Sequence, residues 1–129
     1  MSNPQIIVAL DFPEVTQAVS CLQQLDPSLC RVKIGKELFV RGGPALVDMA
    51  RERGFDVFLD LKFHDIPNTV AGAVRASVEL GVWMLTVHAS GGRAMIEAAM
   101  EAASSRQPSP IVVAVTMLTS LTQGDMHKI

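Results

Sequence analysis

Phe58-Leu59-Asp60-Leu61-Lys62-Phe63-His64-Asp65-Ile66-Pro67-Asn68-Thr69 begins as a buried strand and ends as a polar loop. Side chains alternate between the two faces of a strand, so Asp60 and Lys62 are expected on one face and Leu59, Leu61 and Phe63 on the other. The pattern sets a carboxylate beside an ammonium on a strand that otherwise reads as core. Asp65 follows where the strand should be ending, and Pro67-Asn68 breaks it. Desolvation offsets most of the attraction within a buried ion pair, so stability alone is a poor reason to build one. Two readings stand: a structural ion pair followed by a turn aspartate, or charges gathered to act on a ligand.

Outward from this stretch the chain repeats one unit. Gln5–Leu10 is a short apolar run of strand length ending at Asp11, and Val15, Ala18, Val19, Leu22 and Leu25 then mark a helical face closed by Asp26-Pro27-Ser28. Cys30–Ile34 reads as a second strand ended by Gly35, with Lys33 facing opposite to Val32 and Ile34. Gly42-Gly43-Pro44 is expected to open a second helix running to about Arg53, with Gly54 as its C-terminal cap. A third strand spans Asp56–Phe63 and a third helix roughly Thr69–Leu80. Val82–Val87 is a fourth strand leading into His88-Ala89-Ser90-Gly91-Gly92, and the next helix shows Met95, Ile96, Ala99, Met100 and Ala103 on one face. Ile111–Val115 is a fifth strand leading to Thr116-Met117-Leu118-Thr119-Ser120, and the residues beyond carry no strong pattern.

Strand and helix alternate four times before the fifth strand. The strands are apolar almost throughout, as expected when both faces are covered. Each repeat has the length of one unit of an eight-fold β/α barrel of roughly 250 residues. The expected fold is α/β, the first half of a (β/α)8 barrel with about four βα units plus a fifth strand, and residues 1–129 are expected to be the N-terminal half of one such domain, without the C-terminal half. A doubly wound open sheet is the rival, although no Gly-x-Gly-x-x-Gly follows the first strand.

Composition narrows the function classes. A formal charge of −2 and a pI of about 5.8 give no electrostatic case for nucleic acid or an anionic membrane. Hydrophobic residues make up 49% and mean hydropathy is +0.31, which excludes a disordered chain. Cys21 and Cys30 fit no metal spacing and no disulfide framework, so free thiols in a reducing compartment are expected. No apolar run reaches the ~18 residues of a membrane-spanning helix, and Met-Ser-Asn-Pro-Gln lacks the basic start of a signal peptide. A cytoplasmic protein is the expectation.

In a β/α barrel the chemistry lies at the C-terminal ends of the strands. Those ends carry Asp11, Lys33, Asp60 with Lys62, His88, and Thr119 with Ser120. Alternating charges at close range solvate one another, and at ~4 Å with an effective dielectric near 20 each opposite pair is worth about 4 kcal/mol before desolvation. Such a group can stabilise negative charge developing on carbon and then deliver a proton from lysine. No nucleophile has an obvious partner, and no histidine pair has helical metal-ligand spacing, so structural or hydrogen-bonding roles suit His64 and His88 better. Ser90-Gly91-Gly92 before a helix could hold an anion on backbone N–H groups or simply cap the helix.

Asp60-Leu61-Lys62-Phe63-His64-Asp65-Ile66-Pro67-Asn68-Thr69 resembles the signature of the orotidine 5'-phosphate decarboxylases, most closely in their bacterial form. Val8–Asp11, Val32–Glu37, Val87–Gly92 and Val115–Ser120 fit the same family in the same order, so the resemblance covers essentially the whole chain. It implies a β/α barrel that converts orotidine 5'-phosphate to UMP in pyrimidine biosynthesis without metal or organic cofactor. It implies that Asp11 and Lys33 contact the ribose, that Lys33 also belongs to the charged network, and that Asp60 lies near the substrate carboxylate. Lys62 would protonate C6 of the pyrimidine, and Thr119 or Ser120 would contact the ring. Asp65 and Thr69 would reach across a homodimer interface into the partner's site, with Ile66 among the substrate-binding residues. The phosphate grip, including an arginine and a glutamine, belongs to the second half of the family's barrel. A metal-dependent sugar-phosphate decarboxylase or aldolase with a similar Asp-x-Lys-x-x-Asp core is the first alternative, and an inactive half-barrel fragment is the second.

Overall fold

The computed structural model describes residues 2–129. Five parallel strands lie in one sheet in the order β1-β2-β3-β4-β5: β1 (Ile6–Ala9), β2 (Cys30–Gly35), β3 (Val57–Phe63), β4 (Met84–His88) and β5 (Ile111–Val115). Helices α1 (Val15–Gln24), α2 (Lys36–Glu52), α3 (Pro67–Glu79) and α4 (Arg93–Ala103) connect successive strands, and a 3-10 turn at Ala89–Gly91 precedes α4. Each strand pairs only with its sequence neighbours. A doubly wound sheet reverses its strand order at a switch point, whereas a β/α barrel adds strands sequentially. The sequential order therefore excludes the rival fold and matches the first five strands of a (β/α)8 barrel.

The core lies between the sheet and its helices. Val32, Ile34, Val57, Leu59, Leu85 and Val87 project from the strands onto Leu22, Leu46, Val47, Val70, Val74, Met95 and Ala99, all buried. Burying a side chain of this size contributes about 1.5–3 kcal/mol relative to leaving it exposed. Coverage is one-sided. In β2 the buried residues alternate with half-buried Arg31, Lys33 and Gly35, and on the edge strands Ile6, Ile7, Ile111 and Val113 are exposed. The expectation that both faces are covered thus fails at β1 and β5, because the apolar character of an edge strand does not itself supply a partner for its other face.

Two helices differ from the sequence reading. α2 starts at Lys36, not at Gly42-Gly43-Pro44, and Gly43 (φ 60°, ψ −161°) divides it into two pieces. Leu38, 2% exposed, anchors the first piece, and Pro44 sits just after the kink, in the first turn of the second piece, where its missing N–H costs little. Beyond β5, where no pattern was read, α5 (Gln123–Met126) forms on a reciprocal capping box between Thr122 and Asp125. On α4 the buried face is Met95, Ala99, Ala102 and Ala103. Met100, expected on that face, is exposed, because five residues turn it about 140° away from Met95.

At the N-terminal ends of the strands, Arg31 ties the entering chain down. Its guanidinium lies 3.9 Å over the Trp83 ring, pairs with Asp56 at 3.1 Å, and donates to Asn3 Oδ1 at 2.9 Å and to the Pro4 carbonyl. No helix among the described residues is long and apolar enough to cross a membrane.

Candidate active site

At the opposite, C-terminal ends of the strands the charged residues meet. Lys33 Nζ lies 3.2 Å from Asp11 Oδ1 and 3.7 Å from Asp60 Oδ2, and Lys62 Nζ lies 3.0 Å from the same Asp60 oxygen. The result is a row, Asp11–Lys33–Asp60–Lys62, drawn from the end of β1, from β2 and from β3. The exposed Asp11 forms its outer end, and Asp60, with a side chain 12% exposed, its inner anchor. β2 and β3 are in register with Gly35 opposite Asp60, which brings the end of β2 level with the carboxylate on which the two lysines converge.

The row depends on an irregularity in β3. Leu59 pairs with Leu85 and Phe63 with Val87, so four residues of β3 span the distance that two residues of β4 cover. Within this bulge Lys62 adopts φ 51°. The left-handed region costs a residue with a Cβ about 1–2 kcal/mol, and such strain persists only where surrounding contacts hold it. Thr86, opposite the bulge and 3% exposed, supplies two of them. Its Oγ1 accepts the Lys62 N–H at 2.9 Å and donates to Asp60 Oδ1 at 2.8 Å.

These contacts set the Asp60 carboxyl. Burial pushes its pKa up, but the hydrogen bonds from Lys62 and Thr86, together with the charges of Lys62 and Lys33, hold it below the ordinary carboxylate range. Burial also lowers the His88 imidazole, helped by the nearby His64, Lys36 and Lys62. His88 stacks on His64 with ring centroids 4.9 Å apart.

Two hollows flank Lys62. One, of about 460 Å³, is lined by Phe58, Asp60, Lys62, Thr86 and the segment after β5, including Thr119 and Ser120. The other, of about 370 Å³, is lined by Lys36, Lys62, His64, Asp65, Thr69 and His88 among others. The structure therefore brings Asp11, Lys33, Asp60 and Lys62 into one row and sets Thr119 and Ser120 beside its inner end. Asp65 and Thr69 lie on the other side of Lys62. Asp65 spends one carboxylate oxygen on the N–H of Ile66 at 2.7 Å, and Ile66 is 67% exposed and lines neither hollow. Ser90 makes no side-chain cap for α4, whose N-cap is Gly92. Thr86 escaped the sequence reading. Its one signal is a hydroxyl inside the apolar run Met84-Leu85-Thr86-Val87.

A sequential parallel β/α sheet with an aspartate–lysine row across its C-terminal mouth defines a β/α-barrel protein whose polar site lies where this fold holds its chemistry. The model of the orotidine 5'-phosphate decarboxylase / HUMPS family matches residues 4–129, and the chain belongs to that family. A protein of Dichelobacter nodosus named orotidine 5'-phosphate decarboxylase is 58% identical over 129 residues, which is 100% of this chain and 56% of that protein. Its counterpart in Teredinibacter turnerae is 54% identical over the same length and share. The crystal structure of orotidine 5'-phosphate decarboxylase from Lactobacillus acidophilus superposes with a TM-score of 0.88 at 36% identity, over 97% of this chain and 58% of that one. The chain spans about half the length of the curated relatives it matches.

Proposed function

We propose that this chain carries the proton-delivery half of an orotidine 5'-phosphate decarboxylase site, which forms UMP in pyrimidine biosynthesis. The observation that carries the reading is the Asp11–Lys33–Asp60–Lys62 row, with Lys62 Nζ 3.0 Å from Asp60 Oδ2 at the strand C-termini. In the reaction the bond from C6 to the carboxylate breaks, carbon dioxide leaves, and the electron pair stays on C6. The Lys62 ammonium stabilises that charge and gives C6 a proton, and the resulting amine regains a proton from solvent. Asp60 stands beside the departing carboxylate and holds Lys62 in place. Lys33 and Asp11 take the ribose hydroxyls, and Thr119 or Ser120 takes the edge of the ring. Asp65 and Thr69 act from the partner of a homodimer, and Ile66 is among the residues that contact substrate. The chemistry asks for no metal or organic cofactor, because the fixed ammonium supplies both the charge and the proton.

The test supplies the 129-residue chain with the remaining part of a full-length relative's barrel and follows UMP formation from orotidine 5'-phosphate. Restored turnover is expected, together with its loss in Lys62→Ala. Appreciable turnover by Lys62→Ala removes Lys62 from its role, and no turnover by the wild-type pair leaves an inert half barrel as the better reading. Turnover sensitive to a chelator favours the metal-dependent relatives. Among the described residues no group of three or more His, Cys, Asp or Glu side chains is placed to hold a metal ion.

A further inference from the structure

We propose that Thr86 is a positioning residue, one hydroxyl that sets the rotamer of Asp60 and holds the Lys62 backbone in its left-handed turn. β3 leaves the β4 ladder between Leu59 and Phe63, so Lys62 N–H has no strand carbonyl opposite it in register. Thr86 Oγ1 accepts that N–H at 2.9 Å and donates its own hydrogen bond to Asp60 Oδ1 at 2.8 Å. The two bonds run in one direction, Lys62 N–H to Thr86 to Asp60, and a third closes the ring through Lys62 Nζ and Asp60 Oδ2 at 3.0 Å. Asp60 therefore has one oxygen fixed by Thr86 and the other left for both lysines. Burial leaves the hydroxyl no solvent alternative. Branching at Cβ restricts χ1, so the hydroxyl is aimed before any ligand arrives. Valine has nearly the same shape and neither bond.

The kinetic consequence rests on the decarboxylase reading; the structural one does not. In the 129-residue chain labelled with 13C at aspartate carboxyls and 15N at amides, Thr86→Val removes one of the bonds that lower Asp60, so its titration midpoint rises. The Lys62 amide signal moves and exchanges faster with solvent. Thr86→Ser keeps both bonds and restores both signals towards wild type. In the completed barrel, Thr86→Val lowers kcat about 10- to 100-fold with KM changed less than about 3-fold, and Thr86→Ser recovers to within about 3-fold of wild type. An unchanged Asp60 midpoint and Lys62 amide in Thr86→Val overturn the proposal, whatever the activity. Equal damage to KM and kcat without rescue by serine overturns the kinetic half. Should Thr86→Val not fold, the wild-type chain decides: slow exchange of the Lys62 amide supports the clamp, and exchange at the rate of an open turn overturns it. Absence of turnover in the completed wild-type barrel counts against the decarboxylase reading alone.

Discussion

Replacing Asp60 by asparagine keeps the shape at the centre of the row and removes its charge. Lys62 Nζ and Lys33 Nζ lie 3.0 and 3.7 Å from Asp60 Oδ2. At an effective dielectric of about 20 the two contacts are worth roughly 5.5 and 4.5 kcal/mol before desolvation. The aspartate, 12% exposed, is dehydrated in return, while the lysines keep 30% and 21% of their side-chain surface in water. Breaking a fully buried pair costs about 3–5 kcal/mol and breaking an exposed one at most about 1. An intermediate cost of about 2 kcal/mol is expected at neutral pH, or roughly 8 °C in Tm for a chain of this size. Asparagine has one acceptor oxygen where aspartate uses two, so either orientation of its amide turns the NH2 on the two ammonium groups or on the Thr86 hydroxyl that donates to Oδ1.

The pH dependence separates this charge effect from packing. The folded-state pKa of Asp60 lies below its ordinary value, near 3.9 in an unfolded chain. The stabilisation is therefore complete above that unfolded value and is lost as pH falls through the folded one. Urea unfolding followed by the fluorescence of Trp83, the single tryptophan, gives the difference between wild type and Asp60→Asn. A gap of about 2 kcal/mol at pH 7 should shrink as the pH drops below about 4. A gap under about 0.5 kcal/mol at pH 7, or an equal gap at both ends of the range, would refute the electrostatic account.

Three further perturbations address other parts of the molecule. Gly81→Ala places a Cβ at φ +74° and 2.4 Å from Arg51 Cζ; the arginine can swing away but the backbone cannot, so a loss of about 1–2 kcal/mol is expected in the same urea assay. His64→Ala removes one of the influences that lower His88, so the His88 imidazole should titrate higher by NMR, and a lower midpoint would contradict the stack as drawn. Thr122→Ala opens the capping box with Asp125, and the Asp125 amide should exchange faster with solvent while the amides of α4 keep their protection.

The parts of the fold legible in the sequence were those written in periodicity. Ile111–Val115 is read with its observed bounds, and the other strands within two residues, because apolar runs of strand length stand between clear breaks. Lys33 opposite Val32 and Ile34 follows from the two-residue repeat alone. What escaped was written in local hydrogen bonds. A four-residue helix such as α5 has no room for an apolar stripe, and only Thr122 and Asp125 at capping-box spacing mark it. In α2 the strong signal at Gly42-Gly43-Pro44 was real but marked the second of two pieces, and so concealed the first. The edge strands read as core because hydrophobicity reports what a residue avoids, and not what is there to cover it.

The meeting of Asp60 and Lys62 is the instructive case, since alternation predicts it and alternation is not what produces it. In a regular strand, side chains two apart leave the backbone nearly parallel and about 6.6 Å from one another. Here the strand leaves its register after Leu59, Lys62 turns to φ 51°, and its ammonium comes back to 3.0 Å from Asp60. Lysine has no intrinsic preference for that conformation, so nothing in the residues 58–63 announces it. The partner that holds it, Thr86, is 24 residues away from Lys62 on the next strand. A rule built on one strand cannot see a bulge defined by two. A bulge at the C-terminal end of a barrel strand is a known way to re-aim a side chain beside a site. The strain at Lys62 belongs to the same device, because a lysine released from that turn would be free to leave the carboxylate and reach solvent.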